Sequence, residues 1–383
     1  MNNPFTLETV VGENRLVNRV SELKVVKQTI LNSGKLFVIG PRRYGKTSLI
    51  LTAAEQLRSE NVIVLDYNIE GFTSVELLVR ALVSSAANLS GNLTQAAKNI
   101  RQFFATLQPS VTAGVDGTIS ASLGIKTPEA HEQAPLLMDA LNSLEKLAAH
   151  SKQKIGVVLD EFQYLIKLGG AGIEGQLRAA IQNHRNVSYV FAGSQTSLIS
   201  DMVNNPARPF YRMGENLFIA EIPRPEFMAF LSEGFLSIKC KAEPEALDAI
   251  LNLAEDVPYN IQALARACWE EVRQQQVKSL SVALVTSVHS QLIRSNAPIY
   301  APLWAILTIN QQKALSAAAT YGQQLLTRPI LKQYDVSPGT MQKALQGLEN
   351  NAMLRRDYQT GALTYRFEDP FFKAWVVRTT VTS

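Results

Sequence analysis

Apolar positions along this chain fall into two periodicities. Short apolar runs at 36–39, 62–67, 155–161 and 188–194 read as strands buried on both faces. Between and after them the spacing turns helical, at 48–57, about 72–107 and 131–150. Strand, helix and strand in alternation predict a doubly covered parallel sheet. One segment breaks the alternation. Ser110–Val115 and Thr118–Leu123 alternate residue by residue around Asp116-Gly117, which predicts a β-hairpin inserted at about 108–125. From Pro223 and Pro225 onward the pattern is helical, with segments at 225–236, 244–253, 260–275 and 281–294. The last stretch predicts a helix at about 310–320, then the segment 328–334, and a second helix that Ser337-Pro338-Gly339-Thr340 opens and that runs to Asn350. Strands at 353–356 and 363–367 follow, around a turn at 359–361, and the order is that of a helix-turn-helix with a wing.

The chemistry sits where the first strand meets the first helix. Gly40-Pro41-Arg42-Arg43-Tyr44-Gly45-Lys46-Thr47 fits the phosphate-loop pattern in full. Gly40 and Gly45 permit backbone angles closed to other residues, and the N–H groups opening a helix face a phosphate chain. Lys46 supplies a point charge for the β- and γ-phosphates, the Thr47 hydroxyl is a candidate Mg²⁺ ligand, and Ser48 follows in the first turn. Arg42 and Arg43 either touch phosphates or face solvent.

The run at 155–161 ends in Asp160-Glu161, at the strand end where open α/β sheets bind ligands. Asp160 is expected to hold Mg²⁺, directly or through water. Glu161 is expected to orient or deprotonate an attacking water. Together with the loop this predicts ATP with Mg²⁺ as ligand and ATP hydrolysis as the chemistry. Gln163 stands where a DExD/H helicase carries Asp or His, and the chain has no Asn-Lys-x-Asp guanine reader. Ser194, ending the last core strand, is either a γ-phosphate sensor or a turn serine. Of Arg208 and Arg212 beyond it, Arg212 is the better candidate for an arginine finger, in cis or toward a neighbouring subunit.

Composition narrows the class. The chain has 383 residues, 46% hydrophobic and 18% charged, which predicts two or three globular domains. No apolar run approaches the roughly 20 residues of a membrane helix, and the first residues lack a basic, apolar leader. Cys240 and Cys268 show no redox or metal spacing, and four scattered histidines suggest no zinc site. A cytoplasmic protein is expected. The net charge of +4 is carried by residues 310–383, where nine Lys or Arg face five acids. On a DNA reading, Thr340, Gln342, Lys343 and Gln346 reach bases while Arg355 and Arg356 reach phosphates. The other reading makes this module a protein-docking or intramolecular lid element.

These motifs jointly resemble the archaeal-type ATPases, a branch of the STAND class of P-loop NTPases. The resemblance rests on residues 40–48, on Leu159-Asp160-Glu161-Phe162-Gln163, on Asn18-Arg19 with Glu22, on the hairpin, and on the aromatic Asp-Pro segment at 367–375. It implies an AAA-like P-loop core at 1–220, a helical lid at 221–298 and a winged-helix domain at 299–383. It also implies an ATP-driven switch, and a lid proline, here Pro258, that approaches the nucleotide. Two positions depart from the pattern: Asp256 replaces the glycine of the lid's Gly-x-Pro, and Asn18 replaces a glycine in the N-terminal motif. With no effector domain after the winged helix, output is expected to pass through DNA, a protein partner or self-assembly into a homo-oligomer. An alternative keeps ATP as a structural ligand of a scaffold without turnover.

Overall fold

A computed structural model describes residues 2–5, 17–89, 111–113, 119–121, 130–170, 172–194, 196–357 and 363–381. By its contacts the chain forms two units: Thr9–Pro41 with Lys46–Ala220, and Met1–Glu8 with Arg42–Gly45 and Glu221–Ser383.

The first unit is a five-stranded parallel sheet. Its strands are β1 (Lys35–Ile39), β2 (Ile63–Asn68), β5 (Ile155–Asp160), β6 (Val187–Gly193) and β7 (Glu215–Phe218), in the order β2-β5-β6-β1-β7. Every residue of β5 and β6 is buried, which is why these segments read as continuous apolar runs. Helices α1 (Val20–Leu31) and α2 (Lys46–Ser59) pack together on one face. On the other, α3 (Val75–Leu89), α4 (Ala130–Ser151), α5 (Tyr164–Gly169) and α6 (Ile173–Ile181) share a core with Phe37, Ile39, Val157 and Leu159. Helix α7 (Thr196–Asn204) follows β6. Under the carboxyl ends of the strands, Phe37, Phe162, Phe191 and Phe210 form an aromatic cluster with ring centroids 4.7–5.9 Å apart. The inserted hairpin is present as β3 (Val111–Ala113) against β4 (Ile119–Ala121), with Thr112 opposite Ser120. Its Asp116-Gly117 turn and the residues between α3 and β3 lie outside the described residues.

The second unit is mostly helical. Helix α8 (Arg224–Leu236) precedes β8 (Lys241–Ala242), α9 (Pro244–Leu253), α10 (Pro258–Gln275), β9 (Ser279–Leu280) and α11 (Val282–Ser295). Helix α8 starts with proline at its second position, and α9 and α10 start on proline itself, where the missing N–H costs nothing. Beyond them come α12 (Ala297–Ala305), α13 (Ile309–Tyr321), α14 (Arg328–Gln333) and α15 (Pro338–Asn350). The antiparallel pair β10 (Leu354–Asp357) and β11 (Thr364–Phe367) and the last helix α16 (Pro370–Val381) complete it. Thr308 and Gln311 form a capping box on α13, and the Ser337 side chain caps α15 as its sequence predicts. No helix among the described residues is long and apolar enough to cross a membrane.

One buried group makes this unit acid-sensitive. His289 on α11 lies edge-on to Phe371, ring centroids 5.3 Å apart, and its Nε2 finds no hydrogen-bond partner among the described residues. Burial, with Arg378 adding to it, pushes its pKa down to about 4. An unfolded histidine takes up a proton near pH 6.5, so between there and about pH 4 the unfolded state binds the extra proton. Stability therefore falls as pH drops through that window, by about 3 kcal/mol at most. In thermal unfolding from pH 7 to 4, His289→Gln is expected to flatten the decline. Parallel curves for the two proteins refute the assignment.

Candidate functional site

Strand order brings the chemistry together. β6 lies between β1 and β5, so residues following three adjacent parallel strands converge at one edge. From β1 the chain enters the loop 40–47, and α2 begins at Lys46. Gly40 is required by close approach, since a Cβ there would stand 2.8 Å from the Ile219 carbonyl oxygen. Gly45 holds φ +83°, the left-handed region open to glycine.

Lys46 is only 5% exposed, and its Nζ donates to the Pro41 carbonyl at 2.8 Å, closing the loop on itself. The Thr47 hydroxyl donates to Asp160 Oδ2 at 2.6 Å, across 113 positions of sequence. Asp160 is itself buried, and its Oδ1 accepts from the Glu161 N–H at 2.9 Å. Glu161 leaves the strand with φ +51°, a conformation non-glycine residues adopt at a cost, typically where neighbours over-determine it. Here Phe162 anchors the turn: its ring is fully buried, and its N–H donates to Ala192 of β6 at 2.8 Å.

The Glu161 carboxylate is held from two sides. Oε2 accepts from the Ser194 hydroxyl at 2.8 Å and from the Gln163 amide Nε2. Ser194 thus meets the acid pair, as its place at the end of the neighbouring strand suggests. Gln163 was legible only as a departure from helicases. In the fold its side chain is buried and ties Glu161 to Ser194, with Nε2 3.4 Å from the serine hydroxyl. Its Oε1 is buried without a partner among the described residues. The available signal was position: two residues past the acid, its side chain returns to the side of the chain that carries Glu161.

The arginines separate. Arg208 pairs with buried Glu174 at 2.5 Å and with Asp201 at 3.6 Å, which fixes it within the unit. Arg212 is exposed, at φ +52°, its guanidinium 5.2 Å from the Tyr211 ring centre. Ser48 is half-buried in the first turn of α2.

The loop tip Arg42–Gly45 groups with the second unit. Arg43, at φ +67°, pairs with Asp369 at 2.9 Å and lies over the Tyr259 ring at 5.1 Å. Its carbonyl accepts from the Tyr259 N–H at 3.3 Å, one residue after Pro258, which is buried at the start of α10. Tyr44 is buried, and its hydroxyl accepts from Arg355 at 2.9 Å. Burial pushes the Tyr44 phenol up in pKa, while the Arg355 charge pulls it down. Arg42 is half-buried.

This placement redirects the expected DNA contacts. Arg355 also donates to the Phe367 carbonyl at 3.3 Å and pairs with Glu368 at 3.7 Å. Arg356 pairs with Glu349 at 2.5 Å and donates to Gln346 at 3.2 Å. Both guanidinia are engaged within the chain. On α15, Gln342 and Lys343 are exposed, and the half-buried Thr340 hydroxyl bonds Ser337 at 2.9 Å.

A family model described as an ATPase domain predominantly from Archaea matches residues 16–264. Among solved structures, a Walker-type ATPase of Pyrococcus abyssi superposes with a TM-score of 0.64 at 17% identity, covering 98% of this chain and 99% of that one. The ORC2 protein of Aeropyrum pernix, solved as ADPNP–ADP complexes, gives a TM-score of 0.57 at 17% identity, covering 100% and 99%. At such identities the likeness speaks of fold alone. No protein of curated function matches the sequence.

Proposed function

We propose that this chain, which belongs to the ATPase family found predominantly in Archaea, binds ATP with Mg²⁺ at residues 40–48 and hydrolyses it slowly, as a STAND-type switch. The contact that carries the reading is Thr47 Oγ1 on Asp160 Oδ2 at 2.6 Å, because it joins the loop's hydroxyl to the strand-end acid. These two side chains have the donor chemistry to hold Mg²⁺, which when bound offsets charge on the β- and γ-phosphates. Lys46 and the loop N–H groups bind the phosphates. Glu161, oriented by Ser194 and Gln163, takes a proton from the water that attacks the γ-phosphorus as the bond to the β–γ bridging oxygen breaks. The products are ADP and phosphate. Arg212 is free to act as an arginine finger, in cis or toward a second copy. The ADPNP and ADP complexes of the Aeropyrum pernix protein, which shares the fold, support a nucleotide as ligand.

In this reading residues 1–220 are the ATPase core, 221–298 a helical lid with Pro258 near the nucleotide, and 299–383 a winged helix. The winged helix engages duplex DNA in one nucleotide state. Excess positive charge in 310–383 and the exposed polar face of α15 favour that partner. With Arg355 and Arg356 engaged, Lys343 and Gln342 become the expected contacts. Fluorescence anisotropy with duplex DNA, with and without ATP–Mg²⁺ and across a salt series, tests this. Affinity should fall steeply with salt and change with nucleotide, and Lys343→Ala should weaken it about tenfold. No binding in any nucleotide state refutes the DNA reading and leaves a protein as the partner.

A further inference from the structure

We propose that Asp369 is an internal counter-ion of the phosphate loop: by holding the Arg43 guanidinium it withholds that charge from the nucleotide and lowers the affinity of the site. The inference rests on the nucleotide-binding reading above.

Asp369 stands immediately before α16 and is fixed from three directions. Its Oδ1 accepts from the Phe371 N–H at 2.9 Å, which caps the helix, and from Asn260 Nδ2 of α10 at 3.0 Å. Its Oδ2 meets Arg43 at 2.9 Å. The carboxylate is thus built into the fold, with or without the arginine. Nearby, Lys373 of α16 is matched by Glu255 at 2.6 Å, so Asp369 is not its partner.

Arg43 is the movable member. Its side chain is 38% exposed, and that of Asp369 is 22% exposed. An ion pair this open to water is held only weakly. A triphosphate carries several negative charges, and a guanidinium matches phosphate oxygens in bidentate fashion. The pair is therefore strong enough to set where Arg43 rests and weak enough to be exchanged. Arg43 lies on the same eight-residue loop as Lys46, three positions before it. Freed from Asp369, it adds one positive charge beside the phosphates.

The test is a double-mutant cycle on the full chain, reading the Kd of a fluorescent ATP analogue with Mg²⁺. Asp369→Asn keeps an oxygen for the Phe371 N–H and the Asn260 amide, and puts an uncharged NH₂ in place of the oxygen that faces Arg43. It is expected to tighten binding about fivefold at low salt, with the gain fading as ionic strength rises. In an Arg43→Gln background the same change should alter Kd less than twofold, because no guanidinium remains to be released. A purely structural role for Asp369 predicts the opposite sign, since a loosened loop binds more weakly. Unchanged or weaker binding by Asp369→Asn overturns the proposal, as does an equal gain in both backgrounds. A wild type that binds no nucleotide, or a Lys46→Ala variant that binds as well as wild type, sinks the nucleotide reading and this inference with it. Normal wild-type binding with no gain sinks the inference alone. Should Asp369→Asn unfold, Asp369→Ser keeps the cycle readable: its hydroxyl can still accept from the Phe371 N–H, it removes the same charge, and the same outcomes decide.

Discussion

Replacing Lys46 by alanine is expected to weaken ATP–Mg²⁺ binding at least a hundredfold while leaving the fold intact. The ammonium is almost wholly buried and sits 2.8 Å from the Pro41 carbonyl, inside the loop proposed to bind the phosphates. A unit charge 4 Å from a phosphate oxygen is worth about 4 kcal/mol at an effective dielectric of 20, well above the roughly 2.7 kcal/mol of a hundredfold change. The loss to the folded protein is smaller. Lysine and alanine are both good helix formers, and the Pro41 carbonyl gives up one donor at the first residue of α2. Titration of a fluorescent ATP analogue reads the binding, and thermal unfolding without nucleotide reads the fold. Binding within threefold of wild type, with an unchanged unfolding midpoint, removes residues 40–47 from the role of phosphate site.

Those loop residues were legible because their contacts are local or follow from strand order. Gly45 and Lys46 act within one turn of chain, Gly40 answers to strand order, which brings Ile219 against it, and an apolar run with two acids at its end marks a central strand wherever it lies. The five-stranded sheet was less complete on paper. β7 hydrogen-bonds to β1, but its residues Glu215–Phe218 show no alternation and are mostly exposed, so neither hydrophobic period marks them. Helix α12 carries Pro302 in its interior, which argues against a helix by local rules and is tolerated here. The last helix was hidden by its composition: Pro370, two phenylalanines and a tryptophan read as a motif instead of an amphipathic face.

Contacts at long separation were invisible in principle. Tyr44 meets Arg355 across 311 positions, and no local pattern distinguishes an arginine that binds a tyrosine hydroxyl from one that faces a phosphate. For that reason the sequence left a nucleic-acid surface and a docking role both open for this basic segment, whereas in the fold both arginines already have partners. Gln163 sits between these cases. Its spacing from Glu161 is local, but its purpose appears only when β6 brings Ser194 alongside.

Glu161→Gln is expected to lower ATP turnover at least a hundredfold and to leave ATP affinity within about threefold, the span usual for loss of a general base. The local geometry lets the variant be read as chemistry. Glutamine matches glutamate in shape and tolerates the same left-handed backbone at residue 161. In the wild type one carboxylate oxygen accepts from both Ser194 and Gln163. A glutamine amide oxygen still accepts from the Ser194 hydroxyl. The Gln163 amide Nε2 donates to that same oxygen, so no rearrangement is needed. The tie survives, and what disappears is the charge and the capacity to take a proton. Ser194→Ala should cost less, about tenfold in turnover, since Gln163 still orients the carboxylate. Phosphate release at saturating ATP, with Kd measured separately, decides the matter. Equal slow turnover by wild type and Glu161→Gln removes the hydrolytic step from the switch. What then stands is a protein for which ATP is a structural ligand, held by Lys46 and Thr47 and never consumed.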